Sequence, residues 1–492
     1  MTYTRYLTAI VTALRESVLP DVQSGRAKDA INNSINIIGA IAAQLEPGAS
    51  TAVAAIDATQ LPVKLKALAP NVQAPTESAG VRLPFPGPSE DYAIRSATLP
   101  LISSGAEWLA TQPWPGNAAL NKSAIALLQW EALLRSEVMS RVQRAELGLE
   151  VTSSGAGGTV IAQADIEAYL RKRLKSSSLR VGEFRFLPGG RVRQTALFTV
   201  TGTNDIPSRL VVQREPATKL TQLRGAAMQY AVLERAFAAG MKVARPVMLE
   251  MSPEALGAAF AITEQLPGKS PIASMDYWSP PPRSDKLAAS LARQFALLHS
   301  MPIGDLGNIV DRFVDTGKGQ TWLSDVAELE KQWQSLAHAP SMAVSASMAW
   351  LRAHVGCVDS VETIVHNDAL LHNVLVENDE ISAILDWEFA HIGHPYEDLG
   401  YVRPVVEQMT DWSTFVEAYV SAGGRRPTAE QVDFFTLRSI LKLLIQVLYA
   451  RSAFETGRTN DPNMAEVGAA FLPRLVDRLA TQLNGILRRE QS

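Results

Sequence analysis

Asp368, Asn373 and Asp386 are the residues of this chain whose types and spacing could do chemistry. They lie in His366-Asn367-Asp368-Ala369-Leu370-Leu371-His372-Asn373, continued by Val374-Leu375-Val376 and then by Ile384-Leu385-Asp386-Trp387-Glu388. The two apolar runs flank Asn378-Asp379, residue types that suit a hairpin turn. With the turn centred between Asp379 and Glu380, Asn373 and Asp386 face each other across an antiparallel pair, roughly 4.5–5.5 Å apart at Cα. An amide oxygen and a carboxylate brought together in this way form a hard-oxygen site of the kind Mg²⁺ accepts when phosphates complete its shell. Asp368, on the loop before the first strand, projects toward the same point. A carboxylate there can orient a hydroxyl and accept its proton, which is what phosphoryl transfer asks of a side chain.

His366, His372, His391 and His394 lie close in sequence to Asp368, Asp386 and Asp398, so a histidine-rich zinc or di-metal hydrolase centre is the competing reading. Against it, the stretch has no H-x-H or H-E-x-x-H pair, and Asn373 is an odd ligand for such a centre. His366 reads as a brace for the loop. The single cysteine, Cys357, has no nucleophile context and reads as a small packed side chain.

The elements that must position these residues follow from hydrophobic spacing and turn residues. A helix over 163–175 precedes β-type runs at Arg180 to Leu187, Thr195 to Thr201, Arg209 to Gln213, Val247 to Glu250 and Phe260 to Glu264, with a helix at 222–239 among them. Strands with one inserted helix make a small sheet-based lobe. From Asp285 onward the pattern is helical apart from the β-pair around 373–386. Residues 1–150 read as an all-α unit, with helices near 27–45 and 117–147 and a proline-rich connection at 69–90. The small, polar stretch 151–160 is the expected linker, followed by the small lobe at 161–267 and the helical lobe at 268–492. The expected class is thus α+β, two lobes preceded by an all-α domain.

Composition bounds the function. The 492 residues call for two or three domains, and 46 Lys+Arg against 50 Asp+Glu leave a formal charge of −4. That balance argues against nucleic acid as a partner. The start carries Arg5, Arg15 and Glu16 without a secretory apolar core, and no run reaches the ~18 apolar residues of a membrane span. With one cysteine the chain forms no internal disulfide, which suits the cytoplasm.

The pattern H-x-D-x(4)-N, a hairpin, then D-W-E, with Gly393-His394-Pro395 and Asp398-Leu399 downstream, resembles the signature of the aminoglycoside phosphotransferase/choline kinase-like family. The resemblance implies a bilobal protein-kinase-like fold and an ATP-dependent kinase acting on a small-molecule hydroxyl, with Mg²⁺ as second cofactor. It implies Asp368 as catalytic base, Asn373 and Asp386 as metal ligands, and Asp398 as a buried anchor. Leu187-Pro188-Gly189-Gly190-Arg191 then becomes the turn over the phosphates, where glycines let backbone N–H groups approach. Phe260 to Gly268 resembles the last small-lobe strand and the hinge, where the backbone at Glu264 and Leu266 meets an adenine. The family's basic residue on the third strand is replaced by Gln213 and its helix glutamate by Gln229, two amides able to bond to each other. Arg214, Arg191 or Arg193 is then left to contact phosphate, although strand alternation sends Gln213 and Arg214 to opposite faces.

Over about 160–480 the resemblance is closer to the branch found fused to or beside acyl-CoA dehydrogenases, which implies a hydroxyacyl-CoA acceptor. The alternatives are an aminoglycoside- or choline-type kinase and a degenerate kinase-like nucleotide-binding module. Residues 1–150 resemble small helical companions of this branch; they either shape the acceptor side or serve docking and self-association.

Overall fold

The structure, a computed structural model, describes residues 101–114, 118–146, 161–186, 194–215, 225–272, 281–304, 306, 322–336, 340–456, 458 and 462–490. Gly189, Gly190, Arg191 and Arg193, the linker 151–160 and everything expected of residues 1–100 lie outside them.

Along the chain come α1 (Ala118–Glu146), α2 (Gln163–Leu174), β1 (Arg180–Phe186), β2 (Gln194–Thr201), β3 (Arg209–Arg214), α3 (Ala226–Ala238), β4 (Pro246–Glu250) and β5 (Phe260–Glu264). They are followed by α4 (Asp285–Ser300), α5 (Trp322–Ser335), α6 (Met342–His354), β6 (Thr363–Val365), β7 (Val374–Glu377), β8 (Glu380–Ile384) and β9 (His391–Gly393). Four helices close the chain: α7 (Tyr396–Met409), α8 (Trp412–Ser421), α9 (Ala429–Glu455) and α10 (Pro462–Arg489). The small-lobe elements match the sequence expectation to within a few residues at their ends. The pair β6–β9 was not expected, because three-residue strands are too short to show an alternation.

Two compact units emerge, one holding residues 151–316 and 360–432, the other 1–150, 317–359 and 433–492. This division differs from the expected one, because α5, α6 and most of α9 and α10 group with α1 rather than with the catalytic loop. The reason lies in what α1 buries. Ala124, Leu127 and Leu128 are fully covered, and the buried Glu131 accepts the Ala343 N–H at 2.9 Å, satisfying a donor in the first turn of α6. Glu490, at the end of α10, accepts from Asn121 of α1 at 3.2 Å and from Trp350 of α6 at 2.9 Å.

The other unit has the α+β class and the two-lobe organisation that the motifs imply. Its small lobe is a five-stranded antiparallel sheet in the order β1-β2-β3-β5-β4. Alternation splits the sheet into two faces. Ala196, Phe198, Val200, Leu210, Val212, Phe260 and Ile262 pack with Ile166 and Leu170 of α2 into one core. Each large side chain buried there contributes roughly 1.5–3 kcal/mol. Thr195, Leu197, Thr199, Arg209, Val211 and Gln213 occupy the other face.

In the helical lobe, Ser284 caps α4 by accepting the Leu287 N–H at 3.1 Å, and Leu287, Leu291, Phe295 and Leu298 form its buried stripe. The same helix holds the hairpin: Ser290 Oγ accepts the Ile381 N–H at 3.0 Å. The hairpin is also tied on one edge to the segment just after the small lobe and on the other to the small lobe itself. Lys269 and Val376 exchange backbone bonds of 3.3 and 2.9 Å, and the Ile384 N–H reaches Lys242 O at 2.7 Å. Gly268, at φ +111°, lets the chain pass there, since a Cβ would stand 2.6 Å from Ser382 Oγ.

Candidate active site

The loop that carries Asp368 is gripped through its backbone N–H groups by a side chain distant in sequence. Asp398, in the first turn of α7 and almost fully buried, accepts the His366 N–H at 3.0 Å and the Asn367 N–H at 2.5 Å. Asn367 takes φ +60°, a left-handed conformation that asparagine tolerates better than most residues. His299, at the end of α4, stands 3.0 Å from Asp398 Oδ2 through Nε2 and 2.9 Å from the Tyr419 hydroxyl through Nδ1. Burial pushes the Tyr419 phenol above its ordinary range, so it stays protonated and able to donate to that nitrogen. Asp398 is therefore the buried anchor that the motif implies.

His366 is fully buried and braces the loop as expected: Nε2 donates to Leu385 O at 2.9 Å, and Nδ1 accepts the Asp368 N–H at 3.2 Å. Burial lowers its pKa and holds the ring neutral, the form that this pair of bonds needs. Its ring lies 4.5 Å from that of Trp387, which fixes the segment after the hairpin against the loop.

Asp368 itself is half-buried, with both oxygens engaged. Asn373 Nδ2 donates to Asp368 Oδ2 at 2.8 Å and to its backbone O at 2.9 Å, and the Tyr401 hydroxyl donates to Oδ1 at 2.7 Å. The Asn373 amide oxygen takes no hydrogen bond among the described residues, which leaves it for a cation.

The hairpin register departs from expectation. Asn378 and Asp379, at φ +54° and +59°, form a two-residue turn between the paired Glu377 and Glu380. An irregularity between Leu375 and Val376 then shifts the register, so Val374 pairs with Ile384 and Asn373 O accepts the Leu385 N–H at 2.8 Å. Asn373 thus stands opposite Leu385, not Asp386, and sits in a short 3₁₀ turn, Leu371–Asn373. Asp386 follows beyond the strand end, half-buried and at φ +61°. The irregularity and the left-handed residues Asn378, Asp379 and Asp386, not a regular ladder, shape the backbone between the two candidate ligands.

In the small lobe, Gln213 and Arg214 separate as alternation requires. Arg214 turns into the buried face, donating to Leu256 O at 2.6 Å and to Gln194 Oε1 at 2.7 Å, and burial lowers its pKa. Its expected phosphate contact is corrected accordingly: the guanidinium is spent inside the lobe. Gln213 faces the other way, half-buried, and makes no side-chain hydrogen bond among the described residues, so the expected amide pair with the buried Gln229 is not formed.

On the Gln213 face lies a cavity of about 390 Å³ lined by Glu183, Phe184, Arg185, Leu197, Phe198, Thr199, Arg209 and Gln265. No residue of the 366–388 stretch lines it; it is a sheet-and-hinge cavity, not the place of the chemistry. The Glu264 N–H is taken by Arg245 O and the Gln265 N–H by Arg209 O, whereas Leu266 makes no hydrogen bond among the described residues.

The histidines do not gather. His391 Nδ1 meets Phe389 O and its Nε2 meets Glu397, while the His394 N–H is held by the same Glu397. Among the described residues no three His, Cys, Asp or Glu side chains come together to hold a metal. No described helix is long and apolar enough to cross a membrane. Arg403 donates to Glu407 at 2.7 Å and stacks over Trp412.

A small sheet lobe hinged to a helical lobe, with a braced carboxylate beside an amide and a second acid past a hairpin, defines the phosphotransferase class. Residues 183–435, just over half of the chain, match the sequence model of the phosphotransferase enzyme family, and the chain belongs to that family. Two curated relatives are Acyl-CoA dehydrogenase family member 11 of Rattus norvegicus, 25% identical over 55% of this chain, and of Mus musculus, 29% identical over 53%. The chain covers only 38% and 37% of their lengths. Among solved structures, the macrolide 2′-phosphotransferase of Brachybacterium faecium is 18% identical with a TM-score of 0.45, over 62% of this chain and 97% of that one.

Proposed function

We propose that the chain is an ATP-dependent kinase that phosphorylates a hydroxyl of a small molecule, with a hydroxyacyl-CoA as the acceptor class. The observation that carries the reading is Asp368, half-buried yet held on both oxygens by Asn373 and Tyr401. A carboxylate fixed in this way orients an incoming hydroxyl and takes up its proton as the oxygen attacks phosphorus. Asn373 and Asp386 would hold Mg²⁺: an amide oxygen and a carboxylate are hard donors, and two of them with phosphate oxygens suit that ion. When bound, the cation offsets phosphate charge. The Leu266 backbone and the cavity beneath the sheet suit an adenine, with Gln213 at the position where relatives carry a cation.

The acceptor class is supported by likeness to the Acyl-CoA dehydrogenase family member 11 proteins. The near-neutral charge of the chain favours it over a polycationic aminoglycoside, which calls for an acidic cleft. A second reading, a nucleotide-binding module without transfer, is favoured by Gln213 alone. Thermal unfolding with Mg·ATP, followed by ADP release with hydroxyacyl-CoAs, an aminoglycoside and choline, separates the readings. Stabilisation with release driven by hydroxyacyl-CoA is expected. Stabilisation without release for any acceptor selects the binding module, and no stabilisation by any nucleotide sinks both.

A further inference from the structure

Helix α7 meets the catalytic loop twice from one face. Asp398 and Tyr401 stand three positions apart, so both side chains leave the helix on the same side. Asp398 holds the backbone of His366 and Asn367, and Tyr401 reaches the next residue, its hydroxyl 2.7 Å from Asp368 Oδ1. Asn373 donates to the other oxygen, Oδ2, at 2.8 Å. A carboxylate bound through one oxygen still turns about its last torsion, whose preference is broad and two-fold. Donors on both oxygens, one from a helix and one from a turn, define its plane.

We propose that Tyr401 is a positioning residue for the acceptor: by donating to Oδ1, it fixes the rotation of the Asp368 carboxylate that receives the acceptor hydroxyl. The inference rests on the phosphotransferase reading above. In the step concerned, the acceptor oxygen forms a bond to the γ-phosphorus, and the bond from that phosphorus to the β,γ-bridging oxygen breaks, its electron pair leaving with ADP. The hydroxyl proton passes to Asp368. Transfer of this kind depends on alignment more than on covalent help, so a carboxylate free to rotate slows turnover without loosening the nucleotide. Tyr401 is suited to the task because it is half-buried beside Asp368, where an acceptor can approach, whereas Tyr419 is fully buried behind Asp398.

The test is steady-state ADP release from Mg·ATP by the full chain, with 3-hydroxybutyryl-CoA and with water as acceptors. For Tyr401→Phe, kcat is expected to fall about tenfold or more, the worth of a hydrogen bond to an ionised acceptor. KM for Mg·ATP and the thermal stabilisation by Mg·ATP stay at the wild-type level, which also shows that the variant folds. In an Asp368→Asn background, Tyr401→Phe costs nothing further, because the tyrosine acts through that carboxylate. Wild-type kcat in Tyr401→Phe, or an equal loss in the Asp368→Asn background, overturns the role of the tyrosine alone. A wild-type chain that releases ADP with neither acceptor overturns the hydroxyacyl-CoA acceptor proposed above and, with it, the role of Tyr401 toward that acceptor.

Discussion

In the helical unit, Arg438 is fully buried, its guanidinium 2.6 and 2.9 Å from the Asp325 oxygens and over the face of Trp322. In the sheet-bearing unit, Asp398 is buried just as deeply, yet its carboxylate holds two backbone N–H groups of a loop that ends on a half-exposed acid. The first cluster closes on itself: each charge meets its opposite, and nothing is left pointing at solvent. The second is a chain, Tyr419 to His299 to Asp398 to the loop, whose last member, Asp368, is accessible. Buried polar groups of equal cost thus serve two ends. One specifies how helices pack; the other keeps a reactive carboxylate in place.

Breaking each cluster at its acid sharpens the contrast. Asp368→Asn removes the base while keeping shape and hydrogen-bonding capacity, and ADP release is expected to fall by roughly 10²- to 10⁴-fold. Its unfolding temperature should stay close to wild type, since the carboxylate is half-exposed. Asp325→Ala has the opposite signature. It removes the carboxylate that meets the fully buried Arg438 guanidinium through two bonds, at a cost of about 3–5 kcal/mol in denaturant unfolding. Activity per folded molecule should be retained. A loss of activity larger than the loss of folded protein would show that the two clusters are not separate devices.

The two clusters also differ in how far the sequence announced them. The contact of Asp368 with Asn373 was legible because their chemistry is scarce and their spacing short, and the small lobe because its strands alternate. The hairpin register was not: the turn falls one residue earlier than expected, which alone moves the ladder by two positions, and an irregularity inside a five-residue strand restores only one of them, so Asn373 faces Leu385. Arg214 is one of three arginines the sequence offers to phosphate, alternation places it opposite Gln213, and its burial takes it out of that group. The tie of His299 to Asp398 spans 99 positions and is invisible to any local pattern. Tyr401 had a signal, the three-residue step from Asp398 on a helix. The same distance problem hid the grouping of α1 with α6 and α10, since their contacts join residues hundreds of positions apart.

The smallest expected effect concerns the pH range over which the reactive chain stays assembled. His366 is fully buried with both ring nitrogens used in the neutral form, and burial lowers its pKa despite the opposing pull of Asp398. An unfolded histidine titrates near 6.5, so below about that pH the unfolded chain binds a proton that the folded loop refuses. The stabilisation from keeping this ring neutral is therefore complete above that pH and is lost as pH falls below it, at up to about 1.4 kcal/mol per pH unit for one proton. A second proton on Nδ1 would also meet the Asp368 N–H, so acid should release the loop before it unfolds the Arg438 cluster, whose pair involves no histidine. Urea unfolding of the wild type between pH 7.5 and 5.5 should show stability falling with pH. In His366→Gln the curve should start lower and run flatter by the share of one proton. An unchanged slope in that variant would mean that other groups carry the acid sensitivity and that the neutral brace is not what holds Asp368 in place.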